Sequence, residues 1–225
     1  MDKTSVQTAR PAAPAVTVPA RASGLATREA ILRAARNRLV EVGYANLNVR
    51  DIAREAGVNH ALIGYHFHGK QQLVLAVLDE ANKQLLDRQA SMYQGTVSAS
   101  LQWKQACDFY EDDLGSGFVR LLMELMGASF HDQALRAGFV PRLLHWHRLI
   151  EAAVIEFIET SDLDLPVSAQ AITAWIGWFW TGMEASMMLG IEEKDGHQRE
   201  ALAALATLLR RVEERAGQAP RGRAR

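Results

Sequence analysis

The chain reads as all-α, with a small three-helix N-terminal head built on a helix-turn-helix and a larger C-terminal helical body. Three observations predict this. Residues 48–70, NVRDIAREAGVNHALIGYHFHGK, parse as two short helices around a glycine turn. Only 6 prolines punctuate 225 residues, and apolar positions beyond residue 70 recur at helical spacing. Charge is also segregated: residues 1–70 carry 10 Lys and Arg against 5 Asp and Glu, while residues 71–225 carry 15 against 21. The net charge of −1 does not point to nucleic acid, but a basic head on an acidic body has the sign that attracts phosphate.

Each element follows from local signals. The first 24 residues are rich in Pro, Ala and Thr without helical periodicity, the composition of a disordered segment. That segment is either a passive tail or an arm whose Arg21 enters a minor groove. Its prolines interrupt any apolar run, so no secretory signal is read and the expected location is cytoplasmic. Thr27 is expected to cap a first helix whose apolar face is Ile31, Leu32, Ala35, Leu39 and Val42, ending at Gly43.

Asn48 is expected to cap the second helix, its side chain accepting from a free backbone N–H, with Asp51 favouring the positive helix end. Ile52, Ala53 and Ala56 form the buried face, and Gly57 supplies the left-handed residue that turns the chain. Asn59 caps the third helix. Leu62, Ile63 and Phe67 are expected inward, leaving His60, Ala61, Gly64, Tyr65 and His66 on the outer side.

The body is expected to hold helices near 70–93, 98–113, 116–130, 133–159, 167–189 and 196–216, with breaks or ends at Gly95, Gly115, Gly190 and Gly217. Pro141 should kink its segment or begin a new helix, and the last residues should fray. Ile172 to Ile191 has the length of a membrane span, but Glu184 near its middle would cost about 2.5–3.5 kcal/mol and no basic cluster flanks it. No membrane partner is expected. A helix apolar nearly all round needs burial on several sides, which points to a subunit interface.

Enzyme chemistry finds no support. Cys107 is the only cysteine, and no catalytic-serine elbow, phosphate loop or His-Glu-x-x-His zinc motif is present. His145 and His147, like His66 and His68, are two apart and point to different sides of a helix. No catalytic residue, metal or cofactor is expected.

Gly43-Tyr44, Val49-Arg50-Asp51-Ile52-Ala53, Ala56-Gly57-Val58, Tyr65-His66-Phe67, and Lys70 followed by Leu73 together make residues 25 to 75 resemble the tetracycline-repressor-like (TetR) family of regulators. The resemblance implies a division into an arm (1–24), a DNA-binding head (25–70), an effector-binding and dimerisation body (71–217) and a tail (218–225). It places Tyr65, His66 and Lys70 at phosphates, Arg28 beside the DNA backbone, and Arg50 at a base or phosphate. His60 and Ala61 stand at the entry to the recognition helix as base readers, with Asn48, Asn59 and Gly64 completing the surface. Arginine can fork onto a guanine edge, and an alanine methyl can touch a thymine methyl.

Three positions depart from the family pattern: Leu62 stands where many relatives have Thr or Ser, Gly64 where a large side chain is common, and His68-Gly69 in place of a basic-polar pair. The operator sequence therefore does not transfer from any relative. Gly64 either permits close approach of the helix backbone to the groove or is tolerated because the helix orders only on DNA or is held by Phe67.

The resemblance further implies a repressor that binds a palindromic operator as a homodimer and is released by a small-molecule effector. An effector pocket is expected among Trp103, Phe109, Met123, Glu124, Met126, Phe130, His145, Trp146, Phe179, Met183 and Glu184, any of which can equally be plain core. Trp175, Trp178, Gly182, Ala185, Leu202, Leu205 and Leu209 are expected at a dimer interface between the last two long helices of each subunit. The alternative is a TetR-like helical protein that acts through protein contacts without binding an operator.

Overall fold

The computed structural model describes residues 20–92, 98–160 and 165–218, and all their regular elements are helices. The head comprises α1 (Ala20–Asn46), α2 (Val49–Glu55) and α3 (Ala61–Phe67). The body comprises α4 (Lys70–Met92), α5 (Ala99–Gly115), α6 (Phe118–Ser129), α7 (Gln133–Thr160), α8 (Ala169–Met188), the short α9 (Glu193–Gly196) and α10 (Gln198–Gln218). Of the arm expected to be disordered over residues 1–24, residues 20–24 instead open α1, while residues 1–19, the last residues, the break at Gly95 and the role of the Arg21 side chain lie outside what is described.

α1 begins seven residues before Thr27, which therefore lies inside the helix and is not its cap. Ala20, Ala22 and Ala26 are strong helix formers, and the single Gly24 among them does not stop propagation. Gly43 does interrupt α1: at φ 75 and ψ 167 it leaves the helical region, and Tyr44 to Asn46 form a separate turn. α5 ends at Gly115 as expected, and Gly117 takes the left-handed conformation that leads into α6.

One buried cluster runs without interruption from head into body. Ile31 and Leu39 of α1, Ile52 of α2, and Ile63 and Phe67 of α3 pack with Leu73 and Leu78 of α4, Leu121 and Leu125 of α6, and Leu135 and Phe139 of α7. A smaller cluster of Tyr110, Val119, Met183 and Leu202 lies deeper in the body against Trp103, Trp180 and Met187. α10 is fastened to α5 at two levels: the Trp103 indole donates to the Leu202 carbonyl at 2.9 Å, and Glu213 accepts from the Ser100 amide at 3.0 Å.

α7 runs through Pro141 without starting a new helix. The following Arg142 is clamped there, donating to the Gly138 carbonyl and to both carboxylate oxygens of Asp79 on α4, each at 2.6 Å. Gly138 has no room for a Cβ against Leu75, so α4 and α7 meet nearly backbone to side chain at that level. Among the described residues no helix is long and apolar enough to cross a membrane.

Candidate nucleic-acid interface and internal cavity

Caps and a left-handed turn set the α2–α3 pair. Asn48 Oδ1 accepts from the Arg50 amide at 2.8 Å, Gly57 turns the chain at φ 67, and Asn59 Oδ1 accepts from the Ala61 amide at 2.9 Å. Asn48 and Asn59 thus spend their side-chain oxygens on helix starts. Ile63 and Phe67, four residues apart, anchor α3 in the core. His60, Ala61 and Gly64 are exposed, and Tyr65 is 75 % exposed.

Leu62 corrects an expectation. At 37 % exposure it faces outward, because one helical step of about 100° from Ile63 carries it off the buried stripe. It adds an apolar side chain to the surface of α3, suited to a base methyl rather than a hydrogen bond.

Around this helix, Arg28 is exposed with its guanidinium 5.2 Å from the Phe67 ring centroid, at the foot of α3. Arg50 is exposed in the first turn of α2. The half-buried His66 meets the Tyr65 ring edge-on at 5.0 Å. Lys70 turns inward: its ammonium donates to the Tyr44 carbonyl at 2.7 Å and lies 4.2 Å from the Tyr44 ring centroid, and burial lowers its pKa.

Tyr44 joins head to body. Its amide donates to Glu124 of α6 at 2.9 Å and its hydroxyl to Asp132 at 3.2 Å, while Asp132 also accepts from Gln71 and caps α7 through the Leu135 amide. Burial, reinforced by Asp132, pushes the Tyr44 hydroxyl up to about 12. A Cβ on Gly43 would lie 2.8 Å from a Glu124 carboxylate oxygen, so this contact exists only over glycine. Glu124 is expected at a pocket; its partner instead comes from a backbone 80 residues away.

An internal cavity of about 730 Å³ opens among α4, α5, α6, α7, α8 and α10. Trp103, Phe109, Trp146, Phe179 and Glu184 line it, five of the eleven expected pocket residues. The other six lie elsewhere. Met123 and Met183 pack in the smaller body core, Met126 packs beneath the head, and Glu124 holds Tyr44. Phe130, at 68 % exposure, and His145, beside Arg148, face away from the cavity. α6 turns its apolar stripe to two cores at once, and helical spacing does not say which core a Met joins.

Tyr110, Asp113 and Trp180 line the cavity and were not among the expected residues, although Trp180 and Glu184, four apart on one apolar helix, were a readable signal. Glu184 is 5 % exposed and accepts from the Trp180 indole. Desolvation, with a smaller push from Asp113, raises its carboxyl to about 8.

Of the expected interface residues, Trp175 and Trp178 are 63 % and 53 % exposed, Gly182 is exposed and Ala185 is half-buried. Leu205 and Leu209 are half-buried in the cavity wall. Leu202 is corrected: it is buried in the core beneath Trp103, because α10 directs that face to α5. Gly177 brings α8 close to α7 within the chain, where a Cβ would lie 2.5 Å from the ring of His147.

Residues 31–77 match the family of bacterial regulatory proteins described as the tetR family. An HTH-type transcriptional repressor of Mycobacterium tuberculosis is 48 % identical over 56 residues, covering 25 % of this chain and only 30 % of that protein's length. The HTH-type transcriptional regulator BetI of Pseudomonas aeruginosa is 24 % identical over 158 residues, 68 % of this chain and 79 % of BetI. The fold recurs in a transcriptional regulator from Saccharomonospora viridis in complex with choline (TM-score 0.64, 20 % identity, 79 % of this chain and 93 % of that one). It recurs again in FadR from Bacillus subtilis in complex with stearoyl-CoA (TM-score 0.65, 17 % identity, 84 % and 96 %). A glycine-broken first helix and two capped short helices presenting an exposed face agree with the residues matched, and the helical body shares the fold of these structures: residues 31–77 form a helix-turn-helix head of the tetR family of bacterial regulatory proteins.

Proposed function

We propose that the protein is a repressor that binds a palindromic operator as a homodimer and is released by a small molecule held in the body cavity. In this reading residues 25–70 bind DNA, and residues 71–217 bind effector and dimerise. The observation that carries it is the face of α3, with His60, Ala61, Leu62, Gly64 and Tyr65 exposed above the buried Ile63 and Phe67, beside the exposed Arg50. Such a rigid, solvent-facing helix suits a major groove, with phosphate contacts for position and base-edge contacts for sequence. The small molecules in the choline and stearoyl-CoA complexes of the same fold support reading the cavity as an effector site.

A second copy fits the exposed apolar surface of Trp175, Trp178, Phe179 and Leu208, and a twofold pair of heads matches a palindrome. Trp175, Phe179 and Leu208 also line the cavity, so the second copy would help wall it. An effector acts only by its differential affinity for the two states.

Fluorescence anisotropy with DNA flanking the gene, at two salt concentrations, tests the reading beside unrelated DNA and an Arg50→Ala/Tyr65→Ala variant. Tight, salt-sensitive binding to the flanking DNA, lost in the variant, is expected. Each phosphate contact removed should lower the slope of log affinity against log salt by about 0.9. Equal weak binding to both DNAs, unchanged in the variant, would favour action through protein contacts.

A further inference from the structure

We propose that the cavity takes a hydrophobic organic monocation, of the quaternary ammonium type, seated on the Glu184 carboxylate among the rings of Trp103, Tyr110, Trp146 and Trp180. The proposal rests on reading this cavity as the effector site and names the chemistry it selects. Trp180 stands at the centre of the rings, with centroids of Tyr110 at 5.1 Å, Trp103 at 5.6 Å and Trp146 at 6.5 Å. Aromatic faces of this kind attract a cation whose charge is spread over alkyl groups.

Charge complementarity points the same way. Glu184 is buried, and its hydrogen bond comes from the neutral Trp180 indole. The charged group acting on it is Asp113, a second acid in the cavity wall. Arg142, the one basic residue among the described residues lining the cavity, spends its guanidinium on Asp79 and the Gly138 carbonyl. Among the described residues the wall therefore offers the Glu184 carboxyl and rings with no unengaged cation. An anionic ligand would meet two acids, whereas a lipophilic cation supplies the counter-charge that burial has denied Glu184.

Binding also moves a proton. With its carboxyl raised to about 8, Glu184 is mainly neutral at pH 7, and a cation entering beside it drives that proton to water. The neighbouring titratable and charged groups are Tyr110 and Asp113 of α5, Glu111 of α5 paired with Arg199 of α10, and Arg142 of α7 on Asp79. On α6, Glu124 bonds Tyr44 and Arg120 lies beside it, and His147 of α7 presses on Gly177. Of these, Asp113 adds in the same direction as Glu184. From the ionised fraction of Glu184, cation affinity should rise about 25-fold between pH 6.5 and 8.5.

The test compares benzyltrimethylammonium with its uncharged carbon isostere neopentylbenzene, and with octanoate, by titration calorimetry in buffers of differing ionisation enthalpy. The expected result is at least ten-fold tighter binding of the cation at pH 8.5, close to one proton released per cation at pH 7, and weak binding of octanoate. Glu184→Gln should lose the cation preference and the proton release while still taking up neopentylbenzene, which shows an intact cavity. Binding of the isostere as tightly as the cation, a cation preference that survives in Glu184→Gln, or binding of none of the probes would overturn the proposal. A parallel arm measures operator affinity with the cation present. Cation binding that leaves DNA affinity unchanged upholds the cation site and refutes its role as effector site.

Discussion

Glu184→Gln should change the pH dependence of folding stability even without ligand. A carboxyl raised from 4.5 to about 8 in the folded protein carries 3.5 units of unfavourable ionisation, about 5 kcal/mol at 1.36 kcal/mol per unit. Below pH 4.5 the acid is protonated in both folded and unfolded chains and nothing is lost. Between pH 4.5 and 8 the unfolded chain releases its proton while the folded chain keeps it, so the folded state binds more protons and stability falls as pH rises. Above pH 8 both forms are ionised and the full penalty stands. Glutamine keeps an oxygen for the Trp180 indole and does not titrate. In urea unfolding followed by tryptophan fluorescence, the variant should gain less than about 1 kcal/mol at pH 5, about 3 at pH 7 and up to about 5 at pH 9. An equal offset at every pH would refute the assignment of a neutral buried acid and leave only a packing effect.

Three further outcomes are expected. Gly43→Ala places a Cβ at φ 75 against Glu124 and should cost about 2–4 kcal/mol from backbone strain and the displaced acceptor of the Tyr44 amide, seen as a lower melting temperature; unchanged melting would show that the contact is dispensable. Gly64→Ala meets no atom within 4 Å in the free protein and should stabilise by about 1 kcal/mol, so a simultaneous ten-fold or greater loss of operator affinity would trace to the DNA, while unchanged affinity would end the close-approach account of this glycine. Trp175→Asp/Trp178→Asp should convert the sedimenting species to a 24.9 kDa monomer with folded circular dichroism, and a dimer that survives would move the interface elsewhere.

What could be read from the amino acids alone was local. Asn48 and Asn59 act through backbone groups two residues away and Gly57 through its own left-handed φ, so their roles were visible without the fold. The six long body helices were equally legible, since apolar spacing marks helices wherever they pack. Leu62 was misjudged because Ile63 and Phe67, four apart, already fill the one stripe that a seven-residue helix buries. Glu124, Met126 and Phe130 were misjudged for another reason: all three lie on or just beyond α6, and only the assembled body decides which turn meets the head, the core or water. The cavity's aromatic lining was partly foreseen, whereas the absence of a cationic partner for Glu184 among the described residues emerges only when α5, α7 and α10 come together.

The buried stripe that runs from Ile31 through Leu73 and Leu121 to Phe139 has a mechanical consequence. A reading head on a flexible tether could swing freely and would carry no message from the body. Here the head is the end of a close-packed beam, seated on α4, α6 and α7 and bolted at Tyr44. A displacement of those helices by an occupant of the cavity would tilt the whole head as one piece. In the homodimer proposed above, the spacing between two such heads on DNA would then be a gauge of how full each body is.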